Sequence, residues 1–281
     1  MEVLRPTALA EALAARAAHP DALPIAGGTD VMVELNFDKA RPPVILDLTA
    51  VPELATIDRT DGAVRIGAGV PYTRIINDLE GVLPALAQAS RTVGSPQIRN
   101  RGTIGGNLGT ASPAGDAHPP LLAADATAEV ASTRGTRTIP TRDFFLGPGR
   151  SALEPDELVT AITVPVAGDR EQFAKIGTRN AMVIAVCSFS IRIDPERRRV
   201  GTGIGSAGPT PLRATEAEAF LAGVLDERDR WGGTVEEAAR RRFGELVAQA
   251  ARPIDDHRGS AAYRRHALGV LAARTLGWAC G

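Results

Sequence analysis

Residues 103–116, Thr-Ile-Gly-Gly-Asn-Leu-Gly-Thr-Ala-Ser-Pro-Ala-Gly-Asp, bring four glycines and several hydroxyl or amide side chains into one short segment. Glycine accepts positive φ and carries no Cβ, so successive N–H groups converge on the oxygens of an anion. Where such a turn opens a helix, the unpaired amides of the first helical turn add to the attraction. A second glycine turn, Ala26-Gly27-Gly28-Thr29-Asp30, follows a short apolar run and precedes a helical pattern containing Val31, Met32 and Leu35. Thr29, Thr103, Thr110 and Ser112 supply hydroxyl donors beside these turns, and Asn107 supplies an amide. The chemistry is that of a diphosphate held by main-chain donors, and two separated cradles point to one long dinucleotide. Asp30 and Asp116 would repel phosphate. Each is read either as a helix N-cap or as a partner for sugar hydroxyls or a ring N–H.

These turns belong to a wider pattern. The Ala26–Asp30 turn, the run Gly94-Ser95-Pro96-Gln97-Ile98-Arg99-Asn100-Arg101-Gly102-Thr103-Ile104-Gly105-Gly106-Asn107, the tail Ala111-Ser112-Pro113-Ala114-Gly115-Asp116 and the stretch Gly208-Pro209-Thr210-Pro211-Leu212-Arg213-Ala214 occur in that order. Together they resemble the FAD-binding medium subunit of the molybdenum hydroxylases, the xanthine dehydrogenase and carbon monoxide dehydrogenase group. The resemblance implies an α+β chain: an FAD-binding domain of the p-cresol methylhydroxylase / vanillyl-alcohol oxidase type over residues 1–168, with subdomains of about 1–55 and 56–168. A small α+β domain with a three-stranded sheet and helices then covers 169–281. It implies FAD contact at Ile25, Ala26, Gly27, Gly28, Thr29, Asp30 and Val31 and at Thr103, Ile104, Gly105, Gly106 and Asn107 on the diphosphate. Thr110 and Asp116 are expected nearby, and Leu158 and Lys175 as further contacts. Lys175 is read either as a positive charge beside the flavin or as a surface or interdomain ion pair.

By the same resemblance, the chain is the flavin subunit of a multi-subunit dehydrogenase. A small subunit would carry iron-sulfur clusters and a large one the molybdenum cofactor, with electrons leaving from FAD to NAD+, oxygen or another acceptor. Some relatives carry an aromatic residue that shields the flavin ring in the loop entering the long strand of the second domain. Here that stretch, residues 177–183, has none. The alternative reading is a self-contained FAD-dependent oxidase or dehydrogenase acting on a small molecule, and a further one is a nonenzymatic nucleotide-binding module. Against the oxidase stand the lack of an Arg/His/Tyr substrate cluster and of a covalent flavin-attachment motif.

Composition narrows the classes further. The chain has 281 residues, enough to bury a sizeable core, and 32 basic against 33 acidic residues leave a net charge of -1, so no global field favours nucleic acid or an anionic membrane. No segment approaches a transmembrane length and no secretory signal is apparent, which makes the cytoplasm the expected location. Two cysteines, Cys187 and Cys280, are too few for an iron-sulfur cluster, and four histidines show no metal-ligand spacing, so no metal is expected here. Cys187 shares an alternating apolar face with Val183, Ala185, Phe189, Ile191 and Ile193 and reads as a buried strand thiol. His118, close behind Asp116, reads as a polar loop residue, with lining of the flavin site as the alternative, and the arginine runs 197–199 and 240–242 read as solvated.

Patterns of apolar spacing then place the supporting elements. Helices are expected over 7–18, with Thr7 as N-cap, and near 72–79, 83–90, 215–222, 235–250 and 260–279. Strands are expected over 44–48, 63–68, 127–132, 158–164, 173–177, 182–194 and 200–204, with a linker at 165–169. Gly203-Ile-Gly205-Ser-Ala-Gly208 fits the spacing of a Rossmann turn, but Pro209 and Pro211 follow where that motif needs a helix. It is therefore set aside.

Overall fold

A computed structural model of the chain describes residues 1–60, 62–168, 170–227 and 231–281. The first subdomain alternates strand and helix: β1 (Glu2–Leu4), α1 (Leu9–Ala18), β2 (Leu23–Ile25), α2 (Val31–Asn36) and β3 (Val44–Asp47). Its parallel sheet has the order β1-β3-β2. Helix α1 starts later than expected. Ala8 occupies the N-cap position, while the Thr7 amide donates to Glu11 Oε2 at 2.9 Å.

A 3₁₀ turn (Pro52–Ala55) leads into the second subdomain, with β4 (Ile57–Thr60), β5 (Ala63–Gly67), α3 (Tyr72–Leu79), α4 (Pro84–Arg91), α5 (Pro96–Arg101), α6 (Ile104–Thr110) and α7 (His118–Ala123). There follow β6 (Thr127–Ser132), β7 (Gly135–Pro140), α8 (Thr141–Phe144), β8 (Phe145–Gly147), β9 (Arg150–Ser151) and β10 (Leu158–Pro165). Strand β10 inserts between β5 and β6, antiparallel to both, so the sheet order is β4-β5-β10-β6-β7. The last strand of this region thus occupies the middle of the sheet. One apolar core, including Leu46, Ile66, Ile75, Leu108, Phe144 and Ile162, joins both subdomains.

The remaining chain forms an antiparallel sheet of β11 (Glu171–Gly177), β12 (Ala185–Asp194) and β13 (Arg199–Gly205), followed by α9 (Thr215–Glu227), α10 (Glu237–Ala250) and α11 (Ala261–Ala279). A second core gathers Phe189, Ile191, Phe243, Val247, Leu268 and Leu276. Cys187 lies within it, and burial pushes its thiol up to about 12, so it is not a nucleophile.

The start of the set-aside glycine run and Gly201 just before it have a packing role. A Cβ on Gly201 would stand 1.9 Å from Ala123 O, and one on Gly203 2.0 Å from Pro119 O. Bare backbone on β13 therefore lets α7 lie directly on the β11-β12-β13 sheet. The expected linker contains Asp169, which lies outside the described residues, as do residues 228–230.

Candidate functional site

Far apart in sequence, the two glycine turns meet in space. Gly27 lies against the main chain of the second turn: a Cβ there would stand 2.0 Å from Arg101 O and 2.8 Å from Gly102 Cα. Thr110 Oγ1 lies 2.9 Å from both Asp30 Oδ2 and Gly106 O, so one hydroxyl links the first turn to α6. Between them opens a cavity of about 900 Å³, a volume in the range of cofactor sites. Its wall includes the first turn, the second turn with α6, the stretch 153–159, and Met182, Val183 and Ile184 from the second domain.

The turns differ in what their amides do. No main-chain acceptor among the described residues binds the amides of residues 26–31, and Gly28 turns the chain at φ +77°. These donors are free for an anion. In the second turn, Ile104 N donates to Val70 O, Gly105 N to Ala68 O, Gly106 N to Thr103 Oγ1 and Asn107 N to Thr103 O, at 2.9–3.3 Å. Thr103 is thus the N-cap of α6, and the helix start is docked onto the turn that follows β5. Its expected unpaired first-turn amides are spent inside the protein.

The glycines of α6 divide accordingly. A Cβ on Gly105 would strike Ala68 at 2.4 Å, whereas one on Gly106 would meet only Thr103 Oγ1 at 3.1 Å, and Gly109 has open space. Gly105 is required by packing. Gly106 and Gly109 leave room at the cavity wall.

Neither aspartate caps a helix with its side chain. Asp30 holds the N-cap position of α2 without a side-chain cap bond and its carboxylate accepts from Thr110 instead, while the N-cap position of α7 is Ala117 rather than Asp116. Asp116 is buried, and its Oδ2 accepts from Lys175 Nζ at 2.7 Å while the same ammonium donates to Thr92 O at 3.2 Å. Burial raises the Asp116 pKa and Lys175 opposes the rise. Lys175 is an interdomain ion pair behind the wall, not a charge exposed to the cavity.

Ala26, Gly27, Gly28, Thr29, Asp30, Val31, Thr103, Gly105, Gly106, Asn107, Thr110, Asp116 and Leu158 all line the cavity. Ile25 and Ile104 do not. Ile25 ends β2 with its carbonyl accepting from Leu48 N and its side chain under Gly28, and Ile104 is wholly buried in the core. His118 is also buried rather than a loop residue. Its ring lies 4.4 Å from that of Phe145 and beneath Gly115, and burial lowers its pKa to about 4, so it stays neutral near pH 7.

Residue-by-residue reading of the motifs missed Tyr72, Leu153, Glu157 and the 182–184 loop. Tyr72 carried one signal, a polar-tipped aromatic at the start of an amphipathic helix. The lining aliphatics carried none, because an apolar residue facing a cavity has the same pattern as one facing a core.

Four buried polar atoms without a hydrogen-bond partner among the described residues belong to residues of this wall: Arg16 Nε, Tyr72 Oη, Asn107 Oδ1 and Asp116 Oδ1. Such groups cost free energy unless something satisfies them. A row of free amides beside two unpartnered acceptors and a phenol hydroxyl fits a ligand with an anionic segment and a segment bearing hydroxyl or N–H donors, as a flavin dinucleotide has.

Residues 1–167 match the family described as the FAD binding domain in molybdopterin dehydrogenase, and residues 172–279 match the CO dehydrogenase flavoprotein C-terminal domain. The chain belongs to this family of FAD-binding subunits. Its relatives include the nicotinate dehydrogenase FAD-subunit of Eubacterium barkeri, 37% identical over 79% of this chain and 80% of that one. The glyceraldehyde dehydrogenase medium chain of Sulfolobus acidocaldarius is 33% identical over 97% and 96%. Among solved structures, a carbon monoxide dehydrogenase chain from Hydrogenophaga pseudoflava superposes with a TM-score of 0.89 at 27% identity, covering 100% of this chain and 98% of that one. The chain is accordingly a flavin subunit of an oxidoreductase, and its FAD-binding domain is the N-terminal one. Among the described residues, no helix is long and apolar enough to cross a membrane and no group of His, Cys, Asp and Glu is placed to hold a metal.

Proposed function

We propose that the cavity holds FAD with its diphosphate on the free amides of residues 26–31 and that the chain is the exit point for electrons in a three-subunit molybdenum hydroxylase. The carrying observation is the junction of the two glycine turns over one cavity, with the donors concentrated in the first. Thr29 and Thr110 supply hydroxyls at the junction, and Thr103, Gly105, Gly106 and Asn107 form the facing wall. Asp116, held by Lys175, presents its free Oδ1 to a hydroxyl or ring N–H of the ligand. Leu158 and Val159 give one apolar surface, and Met182, Val183 and Ile184 give another where some relatives carry an aromatic. Once bound, the isoalloxazine supplies the capacity to take up two electrons and release them singly or together.

In this reading, residues 1–168 form the cofactor domain, and residues 169–281 close the site from one side. A small iron-sulfur subunit and a large molybdopterin subunit are the partners, as the medium-chain designation of the Sulfolobus relative supports. NAD+, oxygen or another carrier is the acceptor, and the cytoplasm is the location. The test is an absorbance spectrum of the purified protein before and after dithionite, together with the identity of co-purifying chains. A flavin spectrum that bleaches, with two partners bearing iron-sulfur and molybdenum centres, is expected. A colourless protein that takes up no added FAD would overturn the assignment.

A further inference from the structure

The wall contains a buried phenol that the glycine motifs do not account for. Tyr72 opens α3; its amide donates to Gly102 O at 3.0 Å, and its ring lies 3.5 Å from where a Gly102 Cβ would stand, beside Thr29 Oγ1. The side chain therefore sits at the seam where the two turns meet. It is 2% exposed, and its hydroxyl has no hydrogen-bond partner. Burial, with Asp116 and Asp30 nearby, raises its pKa well above that of an ordinary phenol, so it keeps its proton and acts as a donor as well as an acceptor.

A native fold rarely leaves a buried hydroxyl unsatisfied without a function for it. Two other unpartnered atoms of residues in this wall, Asn107 Oδ1 and Asp116 Oδ1, are acceptors and call for donors on the ligand. A diphosphate offers none; a polyol offers several. Resting on the FAD reading of the cavity, we infer that Tyr72 is a ligand-contact residue whose Oη hydrogen-bonds a hydroxyl of the polyol chain joining the diphosphate to the flavin ring. Its place next to the free amides of the first turn puts it where that chain must leave the diphosphate.

The test compares the flavin-depleted full chain with its Tyr72→Phe variant, using FAD and ADP as probes. ADP shares the diphosphate and adenosine with FAD but lacks the polyol. Loss of one satisfied hydrogen bond raises the FAD Kd about tenfold and leaves the ADP Kd unchanged. The flavin-free variant should unfold at the same or a higher temperature than the parent, because the hydroxyl has no internal partner, while the stabilisation by added FAD shrinks. Equal FAD affinities, a parallel loss for ADP, or a less stable flavin-free variant would each overturn the inference. Failure of the parent chain to bind FAD would instead overturn the reading of the cavity.

Discussion

The glycine turns at 26–31 and 102–107 look alike in sequence and do different work. The first keeps its amides free and is shaped by one positive-φ glycine and one forced close approach, at Gly28 and Gly27. The second ties its amides to Ala68, Val70 and Thr103, and so fixes α6 against the core. It offers the cavity side-chain groups and open glycine faces instead. Composition alone therefore does not make a phosphate cradle. What matters is whether neighbouring strands have already claimed the donors.

Substitutions can break this contrast, and the largest effect is expected at Gly27. The Gly27→Ala methyl must push the two turns apart, because both facing atoms are backbone. FAD retention after gel filtration should fall at least about a hundredfold, from lost turn-to-turn geometry. Full occupancy would show that the turns need not touch.

Next comes the anchor of the segment after the second turn. Lys175→Met leaves a buried, unpaired carboxylate at Asp116 and should cost about 3–5 kcal/mol near neutral pH, read by denaturant unfolding. The Asp116 pKa in the folded chain is already raised, and removal of the ammonium raises it further. A folded carboxyl that holds its proton where the unfolded one has lost it makes stability fall as pH rises, so the penalty should fade toward pH 4. A pH-independent loss would mean that Lys175 acts through packing.

Gly105 and Gly106 give a finer comparison. Gly105→Ala should lower the stability of the flavin-free chain by about 1–3 kcal/mol through overpacking on Ala68. Gly106→Ala should leave that stability unchanged or slightly higher, since alanine favours helix by up to about 1 kcal/mol, yet weaken FAD binding. Equivalent behaviour of the two variants would mean that Gly105 and Gly106 do the same work. Smallest of all, Thr110→Val removes the hydroxyl link to Asp30 and should weaken FAD about fivefold by fluorescence titration, in line with one partly exposed hydrogen bond.

Regular elements were largely legible from pattern. The expected helix at 72–79 and strand at 127–132 coincide with α3 and β6, because apolar periodicity, Pro71 and the flanking turns agree locally. The long strand expected from Met182 begins only at Ala185; residues 182–184 instead line the cavity, with Met182 at φ +51°. Apolar alternation ran through the loop and could not mark that break. Of the short helices, α6 and α7 were signalled only by the glycine turn and by the prolines after Asp116, and α5 escaped, since one or two turns rich in Gly or Pro hold too few apolar positions to show a period.

Sequence by itself determined the two glycine turns, the paired cores and the family, since these depend on residue type and order along the chain. Tertiary structure alone decided which turn keeps its donors, why Gly201 and Gly203 must lack side chains, that Lys175 pairs with Asp116, and that Tyr72 stands unpaired at the seam. The reason is that a hydrogen bond, a close approach and a burial cost each belong to two groups at once, and for these residues the second group comes from a distant part of the chain.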